Sequence, residues 1–199
     1  MSGRSSRDIV LITSLGRSPS VVTETVDALI ERNMRPKRVY VVTTADSIVQ
    51  EKCIPLLRDE FRINYRDIDF IVKNISNDDI YDEKDNEEFM RLVASILDEE
   101  ICRGSRIFMC LAGGRKTMSA AMAILGWIYG ADAIIHVLVP SELEKKGNIN
   151  VLLKLSPEEK AEVLHPSDKR VVFFSMSFPL PLDLATLQPS ELVKKLLSL

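Results

Sequence analysis

Apolar and polar positions follow one another along this chain in two rhythms. Apolar, β-rich runs recur at residues 9–13, 38–43, 68–72, 106–111 and 133–139, and those at 9–13, 106–111 and 133–139 are near-continuous. Between them apolar residues return every three or four positions. Val21, Val22, Val26, Leu29 and Ile30, joined by Thr25, make one such face, and Phe89, Leu92, Val93, Ile96 and Leu97 make another. The first rhythm predicts strands covered on both faces. The second predicts amphipathic helices, over residues 20–32, 48–61, 86–101 and 118–129. Strands alternating with helices in this way predict an α/β fold, a Rossmann-like, mostly parallel sheet with helices on both faces.

After residue 139 the rhythm loosens. Residues 142–150 are charged and include Gly147, and residues 151–155 and 170–174 are strand candidates. A helix start is predicted at Ser156-Pro157-Glu158. Residues 189–199 carry Leu192, Val193, Leu196 and Leu197 on one helical face, which suits the core or a partner subunit. Residues 1–140 therefore read as the core. Residues 141–199 read as a small C-terminal α/β extension that completes the same domain.

Ligands of such sheets bind outside the carboxyl ends of the strands, at a switch point in strand order. Three polar turns lie at that edge. Ser14, Gly16, Arg17 and Ser18 follow the first strand, with Ser14 or Ser18 also suited to cap the first helix. Thr44 and Asp46 follow the second. Gly113, Gly114, Arg115, Lys116, Thr117, Met118 and Ser119 follow the fourth, with Thr117 or Ser119 as candidate caps of the next helix. Glycine lets backbone N–H groups approach a ligand closely, and a helix N-terminus carries partial positive charge. Cations are disfavoured at that position, so Arg115 and Lys116 together imply a compensating anion. Neither glycine turn is the G-x-G-x-x-G fingerprint or a Walker loop, which argues against a P-loop nucleotidase. The acidic run at residues 77–88 reads as an exposed loop leading into the third helix. His136, inside an apolar strand, reads as a core or interface residue, and the stretch from His165 to Arg170 as a solvated loop.

Bulk properties narrow the picture. A formal net charge of −3 over 199 residues does not suit a protein that tracks long phosphate backbones. No apolar run is long enough to span a membrane, and residues 1–8 lack the apolar centre of a secretion signal. Cys53, Cys102 and Cys110 share no metal-ligand spacing and, with two histidines, leave neither a metal site nor a cofactor to expect. Reduced thiols and a cytoplasmic protein are the expectation.

Residues 13–25, Thr-Ser-Leu-Gly-Arg-Ser-Pro-Ser-Val-Val-Thr-Glu-Thr, taken with Gly113 to Ser119, resemble the CARF-domain proteins of type III CRISPR systems, closest to the stand-alone ring nucleases. The resemblance implies a homodimer with a Rossmann-like core, to whose interface residues 141–199 contribute. It implies a cyclic oligoadenylate, most often the four-membered ring, bound across the two-fold axis. It implies metal-independent cleavage of that ring to linear di-adenylate with a 2′,3′-cyclic phosphate. The family's first-turn serine matches Ser14 and its basic glycine motif matches Gly113 to Ser119. Some members use a late lysine, for which Lys169 is the match by position. Ser14, Arg115 and Lys169 are thus the expected catalytic residues. Gly16, Arg17, Ser18, Thr44, Asp46, Gly113, Gly114, Lys116 and Thr117 are the expected ligand contacts. A sensor that holds the ring without cutting it is the alternative, and an unrelated nucleotide-binding α/β protein is a third reading. The chain has no Arg-x4-6-His ribonuclease motif of the kind fused to some CARF proteins.

Overall fold

The apolar runs assemble into one six-stranded sheet. The computed structural model describes residues 7–174 and 188–196. Its strands are β1 (Ile9–Ser14), β2 (Arg38–Thr43), β3 (Asp69–Asn74), β4 (Arg106–Cys110), β5 (Ala133–Leu138) and β6 (Arg170–Phe174). Their order across the sheet is β3-β2-β1-β4-β5-β6, with β1 to β5 parallel and β6 antiparallel to β5. The mostly parallel α/β fold expected from the sequence is present. β1 sits at its centre, with Leu11 opposite Val39 on one side and Phe108 on the other. The first four residues of β1 are apolar and its last two, Thr13 and Ser14, are buried with them, because neither face of a central strand meets water.

Helices α1 (Ser20–Ile30) and α2 (Ile54–Asn64) cover one face, where Leu11, Val26, Leu29, Leu57 and Phe108 pack together. Helices α3 (Glu83–Cys102) and α4 (Lys116–Ile128) cover the other around Ile12, Phe89, Leu97, Met109 and Leu125. The crossing from one face to the other falls between β1 and β4, so the loops after these two strands flank the switch point.

Several boundaries differ from the sequence expectation for identifiable reasons. α1 ends at Ile30 because Asn33 turns left-handed, with φ of 58°, and the Met34 amide returns to the Leu29 carbonyl. α2 is preceded by a π-helical turn at Val49–Cys53. Pro55 has no N–H to continue an α-helical ladder, and the Ile54 amide reaches back five residues to the Val49 carbonyl. α3 begins three residues early because the Asp82 carboxylate accepts from the Lys84 and Asp85 amides. The cap of α1 is Pro19 with no side-chain bond, and α4 starts at Lys116, so none of the serines or threonines expected as caps serves as one.

The extension departs most. Residues 151–155 are not a strand. Asn148 caps a short helix α6 (Ile149–Leu152), which follows α5 (Ser141–Lys146). Ile149 and Leu152 are buried while Val151 and Leu153 face out, a spacing of three that a strand does not produce. α7 (Pro157–Leu164) starts at the predicted place, with Ser156 and Glu159 forming a reciprocal cap. α7 packs on α1, and α8 (Pro189–Leu196) packs on α3 and α4 through Val193. The side chains of Leu192 and Leu196, all of Leu197, and residues 1–6 lie outside the described residues.

His165 just past α7 joins three elements. Its Nδ1 lies 2.9 Å from the Asp27 carboxylate of α1, and its Nε2 lies 3.0 Å from the Glu60 carboxylate of α2. The two carboxylates push the imidazole up to about 9, so it is charged at neutral pH. The stretch read as a solvated loop therefore contains a structural clamp.

Candidate functional site

Two backbone turns meet at the switch point, and their glycines are explained by that meeting. A Cβ on Gly113 would lie 1.9 Å from the Ser14 carbonyl oxygen, so no side chain fits there. Gly114 has φ of 77°, and a Cβ on Gly16 would lie 3.3 Å from the Gly114 Cα. The Ser14 hydroxyl is fully buried and donates to the Gly113 carbonyl at 2.6 Å. Ser119 from the first turn of α4 donates to the Leu111 carbonyl at 2.8 Å. The turns after β1 and β4 are thus stitched to each other before any ligand arrives.

Beside this seam opens a cleft of about 360 Å³, lined by Gly16, Arg17, Thr44, Asp46, Gly114 and Arg115 from the predicted set. Asp78, Asp79 and Tyr81 from the β3–α3 connection complete its wall. Arg17 donates through Nη2 to Asp46 Oδ2 at 2.6 Å, and the Val49 amide donates to Asp46 Oδ1 at 2.9 Å. These bonds hold the Asp46 carboxyl below its usual range against the opposing effect of desolvation. Arg115 grips Asp79 with Nε at 2.8 Å from one oxygen and Nη2 on the other. The same pair lowers Asp79 and raises Arg115 in pKa. Both ion pairs keep one partner half in water, the guanidiniums being 50% and 66% exposed.

Other expected residues lie elsewhere. Lys116 and Thr117 are exposed in the first turn of α4, beside the cleft rather than in it. Ser18 lines a smaller cavity of about 140 Å³ with Ser20, Glu24 and Glu144. Glu24 is 3% exposed, and burial pushes its carboxyl up to about 7. Lys169 is not brought to the cleft. Its ammonium donates to Glu31 at 2.6 Å and to the Pro166 carbonyl at 2.8 Å, and its side chain is 4% exposed. Position in the chain was its only link to the site, and the β5–β6 connection folds it against the end of α1 instead.

Asp78, Asp79 and Tyr81 are not among the residues expected from the sequence, where the acidic run reads as a plain exposed loop. The signal was available: in a parallel sheet the loop after β3 emerges at the same edge as those after β1 and β4. Among the described residues no three His, Cys, Asp or Glu side chains are grouped to hold a metal ion, and the three cysteines are free. No helix among them is long and apolar enough to cross a membrane.

A search of curated proteins finds a CRISPR system ring nuclease, SSO2081 of Saccharolobus solfataricus. It is 26% identical over 156 residues, covering 76% of this chain and 84% of that one. Among solved structures, Enterococcus italicus Csm6 bound to cyclic hexa-2′-fluoro-hexa-dAMP matches with a TM-score of 0.57 and 16% identity. That match covers 85% of this chain, which spans only 43% of the Csm6 chain. Can2 of Sulfobacillus thermosulfidooxidans, in complex with cyclic tetra-adenylate, matches at a TM-score of 0.44 and 17% identity, over 67% of this chain and 32% of that one. The Csm6 likeness shows the fold. The model of the CRISPR-associated protein NE0113 family matches residues 18–184. Matched over most of its length, the chain belongs to that family, whose resemblance to type III CARF proteins its two stitched turns already carried.

Proposed function

We propose that this protein binds a cyclic oligoadenylate, cyclic tetra-adenylate foremost, across a homodimer and cuts it without metal to linear di-adenylate with a 2′,3′-cyclic phosphate, ending a type III CRISPR signal. The observation that carries the reading is the cleft at the switch point, which Arg17 and Arg115 both line, one from each of the two stitched turns. The kinship to a ring nuclease supports it. A ring of phosphates meets a two-fold dimer as one pair of basic turns per protomer. Attack by a ribose 2′-oxygen on the adjacent 3′-phosphorus breaks the P–O5′ bond, the 2′-hydroxyl proton passing to solvent and the departing 5′-oxygen taking one up, and it needs chiefly in-line positioning, which a rigid floor supplies. Arg115, helped by Lys116 and the α4 N-terminus, stabilises charge on the phosphoryl oxygens. Ser14 sets the floor by fixing Gly113. Residues 141–199 belong to the same domain and contribute to the dimer interface, and the protein acts in the cytoplasm.

A binding-only reading draws on a specific observation: the Ser14 hydroxyl is spent on Gly113, and Lys169 is spent on Glu31. One experiment separates the two. Radiolabelled cyclic tetra- and hexa-adenylate are incubated with the pure protein in excess EDTA. Conversion of the four-membered ring to di-adenylate is expected. Tight binding without conversion makes the protein a sensor, and no binding of either ring ends both readings.

A further inference from the structure

The Arg115 guanidinium is already occupied. Asp79 takes its Nε and Nη2, the two donors that a phosphate would take in the same forked geometry. The β3–α3 connection that carries Asp79 is pinned on both sides. Before it, the Asn77 carbonyl accepts from the Ala45 amide at 2.8 Å, and the Ser76 amide and hydroxyl both donate to Glu88. After it, the Tyr81 amide donates to Asp85 at 2.9 Å, and Asp82 caps α3. Three residues, Asp78 to Ile80, remain as the tip between these anchors. Among the described residues Asp79 itself is held, besides Arg115, only by the neighbouring Ile80 amide within the tip, whereas Asp46 is tied by Arg17 and by the Val49 amide of the following helical turn.

We propose that Asp79 is the specificity-determining residue of this cleft: its carboxylate stands on Arg115 in place of a ligand phosphate and must be displaced for binding. The inference rests on the cyclic-oligoadenylate reading of the same cleft. Two arginines there face Asp46, Asp78 and Asp79, so the cleft repels a lone anion. Exchanging one carboxylate for one phosphate gains little, because Asp79 is then left unpaired beside the newcomer. A ring engages several cations of two protomers at once, and the gain accumulates over linked contacts. Short linear nucleotides, the cleavage product included, engage fewer and are turned out as Asp79 closes on Arg115. The pair suits exchange because it is half in water, where ion pairs are weak.

Asp79→Asn tests this directly. The amide oxygen can still accept from the Ile80 amide, as the carboxylate does at 2.8 Å, so the tip keeps its shape. Binding of cyclic tetra-adenylate, linear di-adenylate and inorganic tripolyphosphate is measured for wild type, Asp79→Asn and the Asp79→Asn/Arg115→Ala double variant. The single variant is expected to bind di-adenylate and tripolyphosphate about tenfold tighter or more, and the ring by a smaller factor, so that discrimination falls. The double variant loses the gain, and Asp79→Ser, which keeps an acceptor for Ile80, reproduces it. Equal or weaker binding of both linear anions by Asp79→Asn and Asp79→Ser overturns the proposal. If no protein binds the ring, the functional reading fails on its own. The tripolyphosphate gain, followed at the Arg115 Nε–H NMR resonance, still decides the role of Asp79.

Discussion

Arginine meets carboxylate at both edges of this sheet, and the two meetings have opposite characters. At the amino-terminal edge Glu100 is fully buried and receives five hydrogen bonds: two from Arg38, and one each from Tyr40, Arg103 and Ser105, at 2.7–3.0 Å. These bonds hold its carboxyl down at about 2 although burial alone would raise it. At the carboxyl edge Arg115 and Asp79 have chiefly each other, and the guanidinium is 66% exposed. A buried carboxylate with every lone pair engaged has no alternative partner, so it locks β2 to α3 and β4. A half-exposed pair always has one, in water or in a ligand. The same two functional groups therefore make a rivet at one edge and a replaceable occupant at the other.

The contrast breaks first at the rivet. Glu100→Gln is expected to cost roughly 3–5 kcal/mol of unfolding free energy in urea, since it leaves Arg38 poorly compensated in the interior. The wild type should also show an acid limb. A carboxyl depressed to about 2 stabilises the fold fully above its unfolded value near 4.5, and that stability drains away as pH falls from 4.5 toward 2. Glu100→Gln should flatten this limb, and a limb of unchanged depth would assign acid sensitivity elsewhere. Arg115→Ala should do the reverse: it leaves the unfolding midpoint near wild type and weakens ring binding roughly 10–100-fold, measured by gel shift or calorimetry. A loss of stability without a loss of affinity would make Arg115 a second rivet. The smallest effect is expected at Ser14→Ala, about 1 kcal/mol for one buried hydrogen bond. Affinity and single-turnover rate should fall together, because the floor loosens. A rate that falls alone would return Ser14 to the chemical step.

What the sequence disclosed follows from what burial writes into it. β1, β2, β4 and β5 were legible because a doubly covered sheet demands runs of apolar residues with no alternation. The two glycine turns were legible because backbones that touch leave no room for Cβ. The extension was not. Val-Leu-Leu-Lys-Leu at residues 151–155 is as apolar as a strand, and only the Asn148 cap and the burial of Ile149 with Leu152 put its first two residues in a helix that ends in a turn. Asp79 was hidden for another reason. It lies 36 residues from Arg115, and a whole crossover helix separates the two in sequence. Ser14 was placed at the correct edge, but no pattern in a sequence tells which way a hydroxyl points.

The Gly113 contact also decides where the molecule can give. With the Ser14 carbonyl where a Gly113 Cβ would stand, with the Ser14 hydroxyl bonded across the seam and Ser119 bonded back within the second turn, the turns after β1 and β4 share few independent degrees of freedom. If the cleft takes the proposed cyclic oligoadenylate, rings of different circumference are not admitted by spreading this pair. Compliance is left to the tip opposite, so the cleft works as a vice with one fixed jaw, and its gauge is set by the three residues between Asn77 and Tyr81.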